Sequence, residues 1–274
     1  MPKLCLGTAN FGTRYGLKKN KINENEILKI IKFSNKNKLL NIDTSFEYLH
    51  SHKQLNKFIS NKFNITSKIF FKKKINIKFL KKKIFNFNNN SPSKINNLLF
   101  HNQVDALQKE NIEIFKKLKT DGIVKKIGVS VYDISILKKI LKLWEPDIIQ
   151  IPVNPFNLDF TSSKFLKSLK RRNILIFARS IFLQGILVNK SFTIDKRFEN
   201  NLKDWFKICK LKSIHPVKAC LDFCKSIKEL DFLIIGVQNA EELKEIIRLF
   251  KQPTKLNSNL IIKRKYKKID LRKI

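Results

Sequence analysis

Long apolar runs are missing from this sequence. Nowhere do eighteen apolar residues follow one another, which excludes a transmembrane helix. The N-terminus, Met1-Pro2-Lys3-Leu4-Cys5-Leu6-Gly7, has no basic leader ahead of a long apolar stretch, so no signal peptide is expected. Cysteine is sparse and unpatterned. Cys5, Cys209, Cys220 and Cys224 form no CxxC and no regular framework, which argues against a disulfide scaffold and predicts a cytoplasmic protein with reduced thiols. The early glycines, Gly7, Gly12 and Gly16, lack the GxGxxG spacing that a Rossmann dinucleotide site needs.

Acidic residues are the other shortage: 22 against 57 lysines and arginines, a formal net charge of +35. A nucleic-acid surface concentrates its basic residues on one face or stripe. Here lysine is spread through almost every segment beside abundant Asn, Ile and Phe. Those four residues share A- and T-rich codons, so genomic base composition accounts for the pattern. No specific nucleic-acid partner is expected. Two denser runs, Lys72 to Lys83 and Lys263 to Lys273, leave nonspecific polyanion binding open as an added property.

What the chain does have is alternation. Strand-length apolar runs occur near 4–6, 39–42, 65–69, 96–100, 126–129, 147–151, 174–178 and 232–236. Helical periodicity fills the gaps, near 24–38, 51–61, 76–86, 109–121, 133–143, 162–171, 214–227 and 240–250, with Asn23 placed to cap the first helix. Eight strand–helix units imply parallel strands and favour a closed (β/α)8 TIM barrel of a single domain, for which about 250 residues suffice. The barrel is expected over residues 1–252 and a basic C-terminal tail over 253–274, with 183–213 an Asn- and Lys-rich surface excursion.

Such barrels work at the carboxyl ends of their strands. Asp43, Lys68 and His101 lie at the ends of the second, third and fourth strands, and Tyr48 follows Asp43 by five residues. Taken singly, each has a plainer reading: Asp43 as a helix N-cap, Tyr48 as packing, His101 as a satisfied buried imidazole. Lys68 inside an apolar strand demands a partner. The pair His50 and His52 lacks further ligands at metal-site spacing, so no metal is expected and both are read as solvent-exposed loop residues. Cys220 and Cys224, four apart, are read as packing on one helix face. Gly7 and Gly12 either let the first loop pass close to a substrate or simply form a turn.

Together these residues resemble the aldo/keto reductase family. Asp43-Thr44-Ser45-Phe46-Glu47-Tyr48 is similar to the family's Asp-Thr-Ala-x-x-Tyr segment, Thr66-Ser67-Lys68 to its lysine-ending strand, and Leu98-Leu99-Phe100-His101 to its Leu-His segment. Gly122 to Ser130 and Asp147 to Asn154 resemble its fifth and sixth strands. The resemblance implies reduction of an aldehyde or ketone, sugar derivatives included, with hydride from NADPH or NADH. It also implies Tyr48 as proton donor, Lys68 lowering the phenol's pKa, Asp43 holding Lys68, and His101 orienting the carbonyl. Ser130, Gln150 and Asn154 are implied at the nicotinamide. Arg179, Ser180, Leu183 and Gly185 are implied around the pyrophosphate, and Gly236, Val237 and Asn239 near the adenosine. Leu49, His52, Arg179 and Glu242 depart from the pattern, and Glu242 would repel a 2′-phosphate. These departures keep an alternative open: a cofactor-binding barrel with weakened catalysis that serves as a regulatory or interaction subunit.

Overall fold

The computed structural model describes residues 1–11, 22–48, 50–71, 76–190 and 196–256, together with Tyr266, Lys268 and Ile269. Gly12, Gly16, Leu49, part of the Lys72–Lys83 run and nearly all of the Lys263–Lys273 run fall outside these residues.

Eight parallel strands close into a barrel in chain order: β1 Lys3–Gly7, β2 Asn41–Asp43, β3 Asn64–Ile69, β4 Ile95–Phe100, β5 Lys126–Ser130, β6 Ile148–Pro152, β7 Leu175–Arg179 and β8 Phe232–Ile235. Closure comes from β1 pairing with β8, Leu4 opposite Leu233 and Cys5 opposite Ile234. The helices are α1 Glu24–Lys36, α2 Ser51–Phe58, α3 Ile77–Asn89, α4 Lys109–Thr120, α5 Ile134–Leu143, α6 Ser163–Arg171, α7 Glu199–Leu211, α8 Pro216–Lys225 and α9 Ala240–Lys251. None of them is long and apolar enough to cross a membrane.

Local chemistry sets the element ends. Asn23 caps α1, its side chain accepting from Glu26 N at 2.8 Å. The second strand begins two residues later than its apolar run, because Lys38 turns through φ 56° and Leu39 N closes back on Ser34 O to end α1. Asp43 is therefore the last residue of β2, not the first after it. Gly128 is a strict requirement, since a Cβ there would lie 2.1 Å from the Ile148 carbonyl oxygen. Gly7 ends β1 packed against β8, where a Cβ would approach Ile234 and Ile235 at 3.1 and 3.3 Å.

Barrel walls and helices share one large apolar core, and Cys5, Leu99, Ile148 and Phe177 form a second, smaller cluster. The stretch read as a surface excursion contains α7, whose Leu202, Trp205, Ile208 and Cys209 are buried at helical spacing. Cys220 and Cys224 are buried free thiols on α8. Past residue 252 the described residues contact the barrel's helices and loops. Asp222, fully buried and paired with Lys218, accepts from Lys255 N and Leu256 N, and Tyr266 stacks on Phe156 with centroids 4.6 Å apart.

Candidate active site

The strand ends bring three of the four expected groups together inside the barrel. Asp43 is 5% exposed and Lys68 2%. Lys68 Nζ donates to Asp43 Oδ2 at 2.6 Å, and Gln150 Nε2, from β6, donates to the other carboxylate oxygen. A lysine held this deep needs that pairing, because an isolated buried ammonium is costly. Tyr48 sits on the β2–α2 loop with the Lys68 ammonium over its ring, 5.5 Å from the centroid. His101 lies edge-on to Tyr48 at 5.8 Å, and its backbone N–H continues the β3–β4 ladder by donating to Ile69 O at 2.8 Å.

Burial is the main influence on the Tyr48 phenol and raises its pKa, the charge of Asp43 adds to that, and Arg179 pulls the other way. Lys68 Nζ lies over the ring face while donating to Asp43. Tyr48 thus stays protonated, the state from which an acid must start. His101 is a neutral imidazole: burial, then the positive charges of Lys68 and Arg179, push its pKa down to about 3.

The residues expected around a cofactor divide. Gln150 fits: with Nε2 held by an acceptor-only carboxylate, its Oε1 is buried without a partner and suits an amide N–H donor such as a nicotinamide carboxamide. Ser130 Oγ accepts from Arg179 Nε at 3.2 Å. Arg179 packs over the Tyr132 ring at 3.7 Å and donates to Val131 O, so a guanidinium borders the barrel mouth. The amide nitrogen of Asn154 donates to Ser180 O and its oxygen accepts from Phe156 N, so it ties the end of β6 to the loop after β7 while keeping one N–H and one lone pair. Ser180, Leu183, Gln184 and Gly185 all turn through positive φ, and the N–H groups of Leu183 and Gly185 are spent inside the loop, on Ser180 O and Phe182 O. Gly236 is exposed and opens onto free space, Val237 is buried with its carbonyl held by Asn10, and Asn239 caps α9.

The α9 N-terminus is filled by the protein's own acids. Glu26 Oε1 accepts from Ala240 N at 2.7 Å and Glu242 Oε2 from Gln238 N at 2.8 Å, while Asn239 accepts from Glu242 N. His52 is also not the exposed loop residue it was read to be. It lies in α2 between Phe46 and Phe87, within 3.2 Å of Ser67 Oγ, and burial pushes its pKa down to about 4. Three polar residues of the site drew no attention in sequence: Ser45, which touches His101, and Thr8 and Ser51, whose hydroxyls meet at 2.7 Å behind Asp43. Ser45 and Ser51 lie in the motif around Tyr48; Thr8 carries no pattern of its own.

The aldo/keto reductase family model matches residues 3–266. The chain belongs to the aldo/keto reductase family. It is an oxidoreductase of the class that works with a nicotinamide cofactor on small carbonyl compounds. Among solved structures, an aldo-keto reductase from Bacillus halodurans in its holo form is similar at 14% identity and a TM-score of 0.75, over 99% of this chain and 95% of that one. A glycerol dehydrogenase from Gluconobacter oxydans is 16% identical over 98% and 94%, with a TM-score of 0.71. A thermostable aldo-keto reductase solved with the inhibitor epalrestat is 18% identical over 95% and 94%, with a TM-score of 0.70. At these identities the likeness carries the fold. No curated protein matches the chain by sequence.

Proposed function

We propose that this aldo/keto reductase reduces a small aldehyde or ketone, sugar derivatives included, with Tyr48 as the proton donor and NADH preferred over NADPH. The observation that carries the catalytic half is the buried Asp43–Lys68 pair under the ring of a protonated Tyr48, with neutral His101 across from it. A bound nicotinamide supplies the hydride that no side chain can. As negative charge develops on the substrate oxygen, Tyr48 Oη gives up its proton to it. The cations Lys68 and Arg179 then lie near the resulting phenolate, where positive charge counts most in a water-poor site. Asp43 holds Lys68 in place, and His101 orients the substrate.

The cofactor half rests on α9. Glu26 occupies the Ala240 N–H at this helix N-terminus, Glu242 takes the Gln238 N–H just before the cap, and their charge opposes a second anion. Titration of the nicotinamide fluorescence of NADH and NADPH, followed by an aldehyde panel, tests both halves. Tighter binding of NADH and loss of turnover in Tyr48→Phe with unchanged cofactor affinity are expected. An active Tyr48→Phe variant would end the proton-donor role, and tighter NADPH binding would end the cofactor preference.

A further inference from the structure

Between α2 and α3, on the outside of the barrel, runs a solvent-open groove with about 440 Å³ of free space. Small-molecule sites occupy roughly 300–1,000 Å³. Its floor is a row of rings: His52 stands edge-on between Phe46 and Phe87, with centroids 4.6 and 4.8 Å away. His52 Nε2 meets Ser67 Oγ at 3.2 Å, and among the described residues its Nδ1 has no hydrogen-bond partner. Ser67 and Lys68 are consecutive on β3 and so face opposite sides of the barrel wall. The groove therefore lies apart from the site at the barrel mouth.

Its walls have a direction. α2 brings Lys53 and Asn56 to the groove, and α3 brings Lys83 and Asn86. In each helix the asparagine follows the lysine by three residues, about 4.5 Å along the axis. Helices that join successive parallel strands all run the same way, so both ammonium groups belong to one end and both amides to the other. Among the described residues no acid lines the groove, and neither lysine has an ion-pair partner. Glu24, whose charge reaches Lys53, is already bonded to Lys57 and Gln54. Lys83 Nζ lies over the Phe46 ring, 5.4 Å from its centroid. At the amide end, Asn56 Oδ1 is buried without a partner, a deficit that an entering donor would relieve.

We propose that this groove binds a purine nucleoside monophosphate, its phosphate between Lys53 and Lys83 and its base edge at Asn56 and Asn86. A lysine ammonium meets a phosphate as a compact charge with three donors. An asparagine amide offers the paired donor and acceptor that an adenine edge answers. The flat base covers the aromatic floor, and stacking of bases on aromatic side chains is a general source of affinity. A bare anion would use the lysine end alone, and an uncharged nucleoside the amide end alone. Only a ligand with both parts fills the groove from end to end.

Histidine-ring NMR of the full chain with saturating NADH, which keeps AMP out of the cofactor's adenosine site, tests the groove without relying on turnover. The chain has four histidines, and His52→Gln identifies the signal. AMP is expected to shift the His52 signal saturably. The affinity read from that shift should fall about tenfold in Lys53→Gln/Lys83→Gln, the combined effect of two surface charge contacts. It should fall about fivefold in Asn56→Ala, the effect of one hydrogen bond. A His52 signal that AMP leaves unmoved overturns the site. Unchanged affinity in the lysine variant overturns the phosphate end, and unchanged affinity in Asn56→Ala overturns the base end. Inorganic phosphate acting at the same concentrations as AMP would mark an adventitious ion only, on a basic surface. That result overturns the ligand class, as does adenosine binding as tightly as AMP.

Discussion

Replacing Lys68 by Met removes one half of an ion pair whose side chains are 3% and 7% exposed. Among the described residues the Asp43 carboxylate then keeps Gln150 as its remaining side-chain donor and has no counter-charge within hydrogen-bond reach. Breaking a buried pair from one side costs about 3–5 kcal/mol, chiefly because the surviving charge stays dehydrated. Against a total stability of about 5–15 kcal/mol this is a large fraction. At roughly 2–4 °C per kcal/mol, the midpoint of thermal unfolding should drop by about 10 °C. The double variant Asp43→Asn/Lys68→Met removes both charges, so part of the loss should return, giving a coupling energy of at least about 1 kcal/mol. Urea unfolding followed by circular dichroism on the four proteins of the cycle measures it. A Lys68→Met protein that unfolds at the same urea concentration as the parent would refute the reasoning, because Asp43 could not then be a dehydrated charge dependent on Lys68.

Three further outcomes follow from other parts of the molecule. Tyr48→Phe should lower turnover by several orders of magnitude and leave nicotinamide binding intact, read by steady-state kinetics beside fluorescence titration. His52 and His101 have pKa values of about 4 and about 3 in the folded protein, below the ordinary value near 6.5. Below pH 6.5 the unfolded chain takes up protons that the folded one refuses, so stability should decline as pH falls from about 6.5 toward 4. His52→Gln should flatten that decline in urea titrations at several pH values. In Glu242→Gln the affinity for NADPH should rise relative to NADH, because the charge beside the α9 N-terminus is gone; an unchanged ratio would separate Glu242 from the cofactor's phosphate.

The buried Lys218–Asp222 pair bears on the chain beyond residue 252. Asp222→Ala removes the acceptor for Lys255 N and Leu256 N and leaves Lys218 without its counter-charge, bonded to the Pro253 carbonyl oxygen, so brief proteolysis should cut beyond Pro253 before the barrel yields. Cleavage at the parent rate would mean that the Lys218–Pro253 bond and Tyr266, stacked on Phe156 and bonded to Asp204, suffice to hold the segment.

Much of the barrel is legible in the residues themselves. Strand-length apolar runs and helical periodicity are local signals, written by the same residues that form each element, so β1–β8 and eight of the helices can be read along the chain. So can the order of Asp43, Tyr48, Lys68 and His101, because a parallel barrel sends every strand end to one rim. The seventh helix had a local signal too, in Leu202, Trp205, Ile208 and Cys209, but its Asn- and Lys-rich surface face masks the apolar stripe.

What only the tertiary structure decided is how groups distant in sequence satisfy one another. Asn154 has the right residue type for a ligand, and only the closed barrel shows that Ser180 O and Phe156 N each take one of its hydrogen bonds. His52 reads as a polar loop residue until Phe46, Ser67 and Phe87 close around it. Lys68 and Tyr48 were legible as neighbours, but the direction of the ammonium was not. Charge pairing with Asp43 takes the Nζ to the carboxylate and leaves it over the Tyr48 ring. Residue type fixes what a group can offer; the distances and competing partners that decide what it does offer exist only once the barrel has closed.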